Sequence, residues 1–393
     1  MRKYNKNPFQ VVLIVAFVLI FAGLGYRLLR RSHAVSGADV NGDGTVNIVD
    51  LSIMATNWGQ TGKTFAQGDL TGDGTVNILD LSVLAANWGE NTSGYQRPFG
   101  STAPWNIPVA DLATSPNSAL YVSHLWDGSP YPGELHLYSD GYTYPVYDTS
   151  TATMTVPITV TNPSWGSNLV GKTMPWNPAW QPAAGTDAQM IVLNSATGQE
   201  WDLWETSYNA TTQTLSIGNG DLIPGSYWTN TTGFEGSRGA GIPYLAMLIR
   251  PQEVAQGHID HALSMPLGTL SSSFVAPATK SDASGGVIPM GTRFAIHITD
   301  AQIDTWASSL PLSATGQQSA KVIATALRDY GMIVDDNGGQ ATIQMEDVQS
   351  AGAQWVALGL GTSPSNVGAT TNRLLDSLVN SSNLYAIVPS DQY

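Results

Sequence analysis

The chain opens on an apolar run, residues 11–25, with Arg2, Lys3 and Lys6 before it and Arg27, Arg30 and Arg31 after it. A helix of 15 to 18 such residues is about 22–27 Å long, against a hydrocarbon core of about 30 Å. The pattern predicts an export segment over residues 1–34. It reads as an uncleaved signal-anchor or as a signal peptide cut after Ser32-x-Ala34, with the basic start kept inside either way. Two short helical stripes follow, 30 residues apart: Leu51, Met54 and Ala55 within 50–59, and Leu81, Leu84 and Ala85 within 80–89. Gly59 and Gly89 stand where such helices end. Neither unit buries its stripe alone, so the two should pack as a pseudo-twofold, all-α module over residues 37–90. Residues 91–104, rich in Gly, Pro and polar side chains, read as a linker.

From 105 to 393 a period of two dominates. Residues 151–161 alternate, and 187–194 and 200–208 are strands joined by Ser-Ala-Thr-Gly-Gln. Further strands fall at 212–217, 287–290 and 293–298, and Asn337-Gly338-Gly339 predicts a hairpin between 332–334 and 341–345. Helical spacing returns at 251–263 and at 317–330, where Val322, Ile323, Ala326, Leu327 and Tyr330 share a face. The expected fold is therefore multidomain: an N-terminal transmembrane or signal helix, a small all-α module, and a large mainly-β sandwich or jelly roll with a few helices.

Composition narrows the function. The 393 residues include 12 Trp and no Cys, which excludes disulfides, Fe–S clusters, Cys-type zinc sites and a Cys nucleophile. Six of the 16 Lys+Arg lie in residues 1–31, leaving 10 basic against 30 acidic residues, a net of −20, for the rest. An acidic body is a poor nucleic-acid binder and suits an exported or cation-binding protein.

Residues 39–50 (DVNGDGTVNIVD) and 69–80 (DLTGDGTVNILD) place oxygen donors at positions 1, 3, 5, 7, 9 and 12 of a tight loop, as a hard cation requires. The candidate ligands are Asp39, Asn41, Asp43, Thr45, Asn47 and Asp50 for one calcium ion, and Asp69, Thr71, Asp73, Thr75, Asn77 and Asp80 for a second. Position 7 contributes its carbonyl, and Gly44 and Gly74 supply the sharp turn at position 6. This duplicated loop–helix unit, over residues 37–90, resembles a type I dockerin. The resemblance implies calcium-dependent folding and docking onto a cohesin-like partner; packing against the chain's own C-terminal domain is the alternative. Scaffold dockerins tend to carry Ser-Thr at loop positions 10 and 11, where this chain has Ile48-Val49 and Ile78-Leu79.

The candidate chemistry of the large domain lies on one strand. Glu200-Trp201-Asp202-Leu203-Trp204-Glu205 fits E-x-D-x-x-E in a chain with 7 Glu. A retaining glycosidase needs two carboxyls about 5–5.5 Å apart, and a bulge after Asp202 would return Glu205 to the face of Glu200. The pattern is similar to the catalytic strand of laminarinase- and lichenase-type β-glucanases. That resemblance implies Glu200 as nucleophile, Asp202 as its assistant and Glu205 as acid/base. The plain reading is an alternating strand with Glu200, Asp202 and Trp204 solvated.

Asp187, Gln189 and Trp204 also suit a sugar-binding face, as do Trp165, Trp176, Trp180 and Trp228 in turn-rich segments. Residues 239–261, with 275–282 and 289–293, look like an uncharacterised bacterial secreted β-rich domain. That likeness implies a shared fold and no known activity, and makes Arg250, His258 and His261 candidate substrate-binding groups. The expectation is an exported, surface-attached polysaccharide-acting protein, leaning to a glycoside hydrolase. A non-catalytic glycan-binding protein and a structural or adhesion protein are the alternatives.

Overall fold

The computed structural model describes residues 38, 40, 46, 48–86, 88, 98–100, 102–127, 132–228 and 230–392. The export segment 1–34, five first-loop candidates (Asp39, Asn41, Asp43, Thr45 and Asn47) and residues 91–97 and 101 of the linker lie outside them. Among the described residues no helix is long and apolar enough to cross a membrane. The chain divides into two compact units, Met1–Gln96 and Arg97–Tyr393.

In the first unit, helices α1 (Ile48–Thr56) and α2 (Ile78–Ala86) repeat at the 30-residue spacing. Its core is itself a repeat: Val40 with Leu70, Val46 with Val76, and Met54 with Leu84 are all buried. Asp50 and Asp80 are buried at matching positions and accept from the Val40 and Leu70 N–H groups, at 2.7 and 2.9 Å. The expected stripe is narrower than its pattern. Ala55 and Ala85 are exposed, while Ile53 and Val83 pack against the core, because so short a helix turns only a narrow strip of its surface inward.

The second unit is β-rich. Its strands are β1 (His136–Tyr138), β2 (Val146–Asp148), β3 (Met154–Val160), β4 (Thr173–Trp176), β5 (Met190–Asn194), β6 (Gln199–Trp204), β7 (Ser207–Asn209), β8 (Thr214–Ile217) and β9 (Asn219–Ile223), then β10 (Leu263–Ser264), β11 (Leu270–Phe274), β12 (Ile288–Met290), β13 (Arg293–Ile296), β14 (Met332–Ile333), β15 (Thr342–Gln344) and β16 (Leu384–Ile387). Two four-stranded sheets, β2-β5-β6-β9 and β4-β3-β8-β7, enclose one apolar core containing Val156, Trp176, Val192, Trp201, Leu203 and Leu215. The sandwich thus occupies residues 146–223. The rest is built on a mixed sheet, β10-β14-β13-β16, with the two-stranded pairs β1-β15 and β11-β12 beside it.

Helices in this unit include α3 (Ser118–Asp127), α4 (Pro251–Gln256), α5 (Asp300–Ser309), α6 (Ala314–Asp329), α7 (Val348–Ala357) and α8 (Val367–Thr371). Helix α6 begins three residues before the pattern predicts, because the Ser313 hydroxyl caps it by accepting from Gly316 N at 3.2 Å. Helix α4 covers half of the predicted 251–263: Gly257, at φ 90°, stops it and leaves His258 to His261 non-helical. The predicted 332–345 hairpin does not form. β14 pairs with β10 and β13 while β15 pairs with β1, so residues 334–341 cross from one sheet to another. Phe99, within the segment read as a linker, is buried against Trp105 and Phe234, at ring-centroid distances of 5.1 and 5.4 Å.

Candidate functional site

β6 runs in unbroken register over residues 199–203 against β5 and 200–204 against β9, so no bulge lies between Asp202 and Trp204. Trp201 and Leu203 enter the sandwich core, as alternation requires. The opposite face is not solvated. Glu200 is 1 % exposed and Asp202 0 %, because residues 239–249, an irregular and almost wholly buried segment, lie over it. Such a segment lacks a ladder for its backbone groups and must find other partners. The two carboxylates supply acceptors: Glu200 Oε1 receives Leu245 N–H at 2.7 Å and Asp202 Oδ2 receives Tyr244 N–H at 3.1 Å.

Arg238 supplies the donors. Wholly buried, it donates to the carbonyls of Pro243, Tyr244 and Ala246 at 3.3, 2.5 and 3.2 Å. It also reaches Ser264 Oγ and Gln344 Oε1, both at 2.6 Å, and Asp335 Oδ2 at 2.9 Å. The remaining oxygens of Glu200 and Asp202 are buried without an N–H partner, and the two carboxyls bond to each other. Burial raises the pKa of both, and the Glu200 charge raises Asp202 well above the ordinary range, so the pair shares a proton. Glu205 stands apart. It follows the strand at φ 52°, is exposed, and leans over Gly218. The proposed catalytic triplet is therefore not assembled on one face: two members brace a buried segment and the third faces solvent.

Trp204 continues the Glu200–Asp202 face past the edge of the covering segment, and there the surface opens into a cleft of about 1070 Å³. Trp165, 64 % exposed, stands over Trp204 with ring centroids 5.6 Å apart. Asp187, Gln189 and Asn219 complete this wall. Gln189 is 7 % exposed, and its side-chain amide has no hydrogen-bond partner among the described residues. The facing wall holds Tyr138, Tyr142, Lys280, Asp282 and the 336–340 crossover. Asp336 Oδ1 is held by Gly239 N at 3.2 Å and Asn337 N at 2.9 Å. Burial, with Asp335 and Asp282 nearby, raises the Asp336 pKa to about 7.

Three of the sequence candidates, Asp187, Gln189 and Trp204, thus meet in the cleft, with Trp165. Trp176 and Trp180 lie in the sandwich core instead, and Trp228 packs on the cluster around Ile191 and Leu193. Arg250, His258 and His261 do not line the cleft. Arg250 Nε meets Glu346 Oε2 at 2.5 Å, His261 Nε2 meets Glu253 Oε1 at 3.0 Å, and His258 Nδ1 meets Asp260 Oδ2 at 2.9 Å. These pairs fix α4 and its exit. Sequence reasoning missed Asp282 and Asp336 because Ser281-Asp-Ala-Ser-Gly-Gly and Asp335-Asp-Asn-Gly-Gly read as turns.

In the first unit the loop 69–80 is closed by its own acids. Asp69 accepts from Gly72 and Gly74 N–H at 3.0 and 2.8 Å, and Asp80 from Thr71 and Asn77 N–H at 2.9 and 2.7 Å. Asp73 caps Thr75 N at 2.7 Å. Gly72 and Gly74 take the positive φ the turn needs. This all-oxygen donor set on a tight turn fits calcium, although among the described residues no three His, Asp or Glu converge as a ready metal cluster.

The family model for the dockerin type I domain matches residues 37–89. A solved structure titled type II cohesin–dockerin domain from Bacteroides cellolosolvens aligns at 34 % identity, covering 16 % of this chain and 98 % of that one, with a TM-score of 0.14. No curated protein matches the chain. The N-terminal unit therefore carries a type I dockerin segment.

Proposed function

We propose that the chain is an exported, two-part protein whose dockerin segment docks onto a cohesin partner in a calcium-dependent way and whose C-terminal unit holds a polysaccharide in the cleft beside Trp165 and Trp204. The docking half rests on the family match at residues 37–89. Asp69, Thr71, Asp73, Asn77 and Asp80, with the Thr75 carbonyl, would hold one ion; the ion would neutralise crowded acids and fix the turn. A second ion falls to the first loop. The apolar pairs Ile48-Val49 and Ile78-Leu79 are exposed at equivalent places on α1 and α2, which suits a protein partner.

The observation that carries the glycan half is the exposed Trp165 standing over the half-buried Trp204 in the cleft that Gln189 also lines. Indole faces stack on the apolar faces of pyranose rings, and amides and carboxylates bond their hydroxyls. Hydrolysis through Glu200, Asp202 and Glu205 has little support, since the first two are covered by residues 244–245. Native gels cast with soluble β-glucan, xylan, mannan, pectin or starch test the reading. At least one polysaccharide should retard the full chain, and Trp165→Ala with Trp204→Ala should abolish that retardation. Mobility unaffected by all five would refute it.

A further inference from the structure

Gly239 has no side chain, and a Cβ built there would lie 2.7 Å from Asp282 Oδ1 and 2.8 Å from Asp336 Oδ1. Oxygens at those two distances from one point are at most about 5.5 Å apart. The two acids come from separate loops, 54 residues apart in sequence, and converge on the same wall of the cleft. Neither is there to balance a partner: Asp282 makes no hydrogen bond or ion pair among the described residues, and Asp336 uses only Oδ1. Gln189, nine-tenths buried and with no side-chain hydrogen bond among the described residues, lines the same cleft and offers its amide to whatever occupies it.

Resting on the glycan reading above, we infer that Asp282 and Asp336 are the catalytic pair of a glycoside hydrolase acting on the pyranosyl chain held by Trp165 and Trp204. The bound of about 5.5 Å on this oxygen pair admits the separation of a retaining pair and falls short of the about 6.5–9.5 Å an inverting pair needs to admit water between its members. Asp282, exposed, attacks the anomeric carbon as its carboxylate, and the glycosidic C–O bond breaks as Asp336 gives its proton to the leaving oxygen. Asp336 then takes a proton from water, whose oxygen displaces Asp282 from the anomeric carbon. One water is consumed, two hydroxyls are formed, and nothing is oxidised or reduced. A pKa of about 7 keeps Asp336 protonated in a useful fraction at neutral pH.

The test takes the polysaccharide that retards the full chain in a gel and measures reducing ends released by wild type, Asp282→Asn and Asp336→Asn. Release by wild type should fall by about 10²-fold or more in each variant, with gel retardation and thermal midpoint kept. Wild-type retardation without release, or release unchanged in both variants, overturns the catalytic pair and leaves the binding reading intact. Loss of release together with loss of retardation or folding in both variants also counts against it, since the acids would then be structural. Absence of retardation by any polysaccharide fails the binding reading first, and the inference with it.

Discussion

The Glu200–Asp202 pair makes the sharpest energetic prediction. Each acid accepts a backbone N–H of a segment with no other way to satisfy it. Asp202→Ala leaves the buried Tyr244 N–H without an acceptor, at about 1–3 kcal/mol, and removes the carboxyl bond to Glu200, at about 1.5–3 kcal/mol. The two effects overlap, so a loss of about 3 kcal/mol is expected. Asp202→Asn keeps both: its carbonyl accepts from Tyr244 and its amide donates to Glu200.

The pH dependence separates the two variants. The folded-state pKa of Asp202 is raised, so its contribution is fully present below the ordinary carboxyl range and is lost as pH rises through the raised value. Each unit of elevation amounts to about 1.4 kcal/mol. Wild type should therefore lose stability as pH rises above the ordinary carboxyl range, while Asp202→Asn, with no proton to lose there, stays flatter and overtakes it. Urea midpoints of the full chain from about pH 5 to about pH 9 measure this. Parallel wild-type and Asp202→Asn curves, or equal losses for the Asn and Ala variants, would refute the shared-proton account.

Other outcomes follow from the same geometry. Arg238→Ala strands the buried Asp335 carboxylate and three carbonyls, and should cost at least about 3–5 kcal/mol by urea unfolding; a loss below about 1 kcal/mol would show that the segment is held otherwise. Trp165→Ala alone should weaken polysaccharide retention by about 1–2 kcal/mol, five- to thirtyfold in Kd. Sugar release, where present, should decline as pH rises through about 7, because Asp336 must carry a proton to act as acid; a rate that climbs through that range would assign the acid role elsewhere. Chelating calcium should lower the helical dichroism and abolish partner binding, with Asp80→Ala mimicking the loss; unaltered spectra with and without chelator would argue that the loops fold on hydrogen bonds alone.

The dockerin segment was legible because its information is local. Loop ligands, turn glycines and helix stripes lie within 12 residues of one another and then repeat, so Met54 and Leu84, like Asp50 and Asp80, are found at the expected depth. The strands around Gln189 and Glu200 were equally plain, since alternation and a Gly-containing turn fix a hairpin and its register. What alternation leaves open is what covers the outer face of a sheet. Glu200 and Asp202 sit where solvated residues belong, and only the apolar 239–249 segment, remote in sequence, turns that face into an interior. The cleft acids were hidden for a related reason: Asp282 and Asp336 lie in turn-like loops, and only the crossover between β14 and β15, read beforehand as a hairpin, brings Asp336 to the wall. His258 and His261 stood as substrate-binding candidates within a predicted helix; Gly257 ends that helix and each His turns to a neighbouring acid.

The most direct test of the central claim is a crystal structure of the full chain soaked with an oligosaccharide cut from the retained polysaccharide. Density for sugar rings stacked on Trp165 and Trp204, with a glycosidic oxygen within hydrogen-bond reach of Asp336, is the predicted result. Sugar bound away from the cleft, or a cleft unchanged at a concentration that saturates binding in solution, would contradict it.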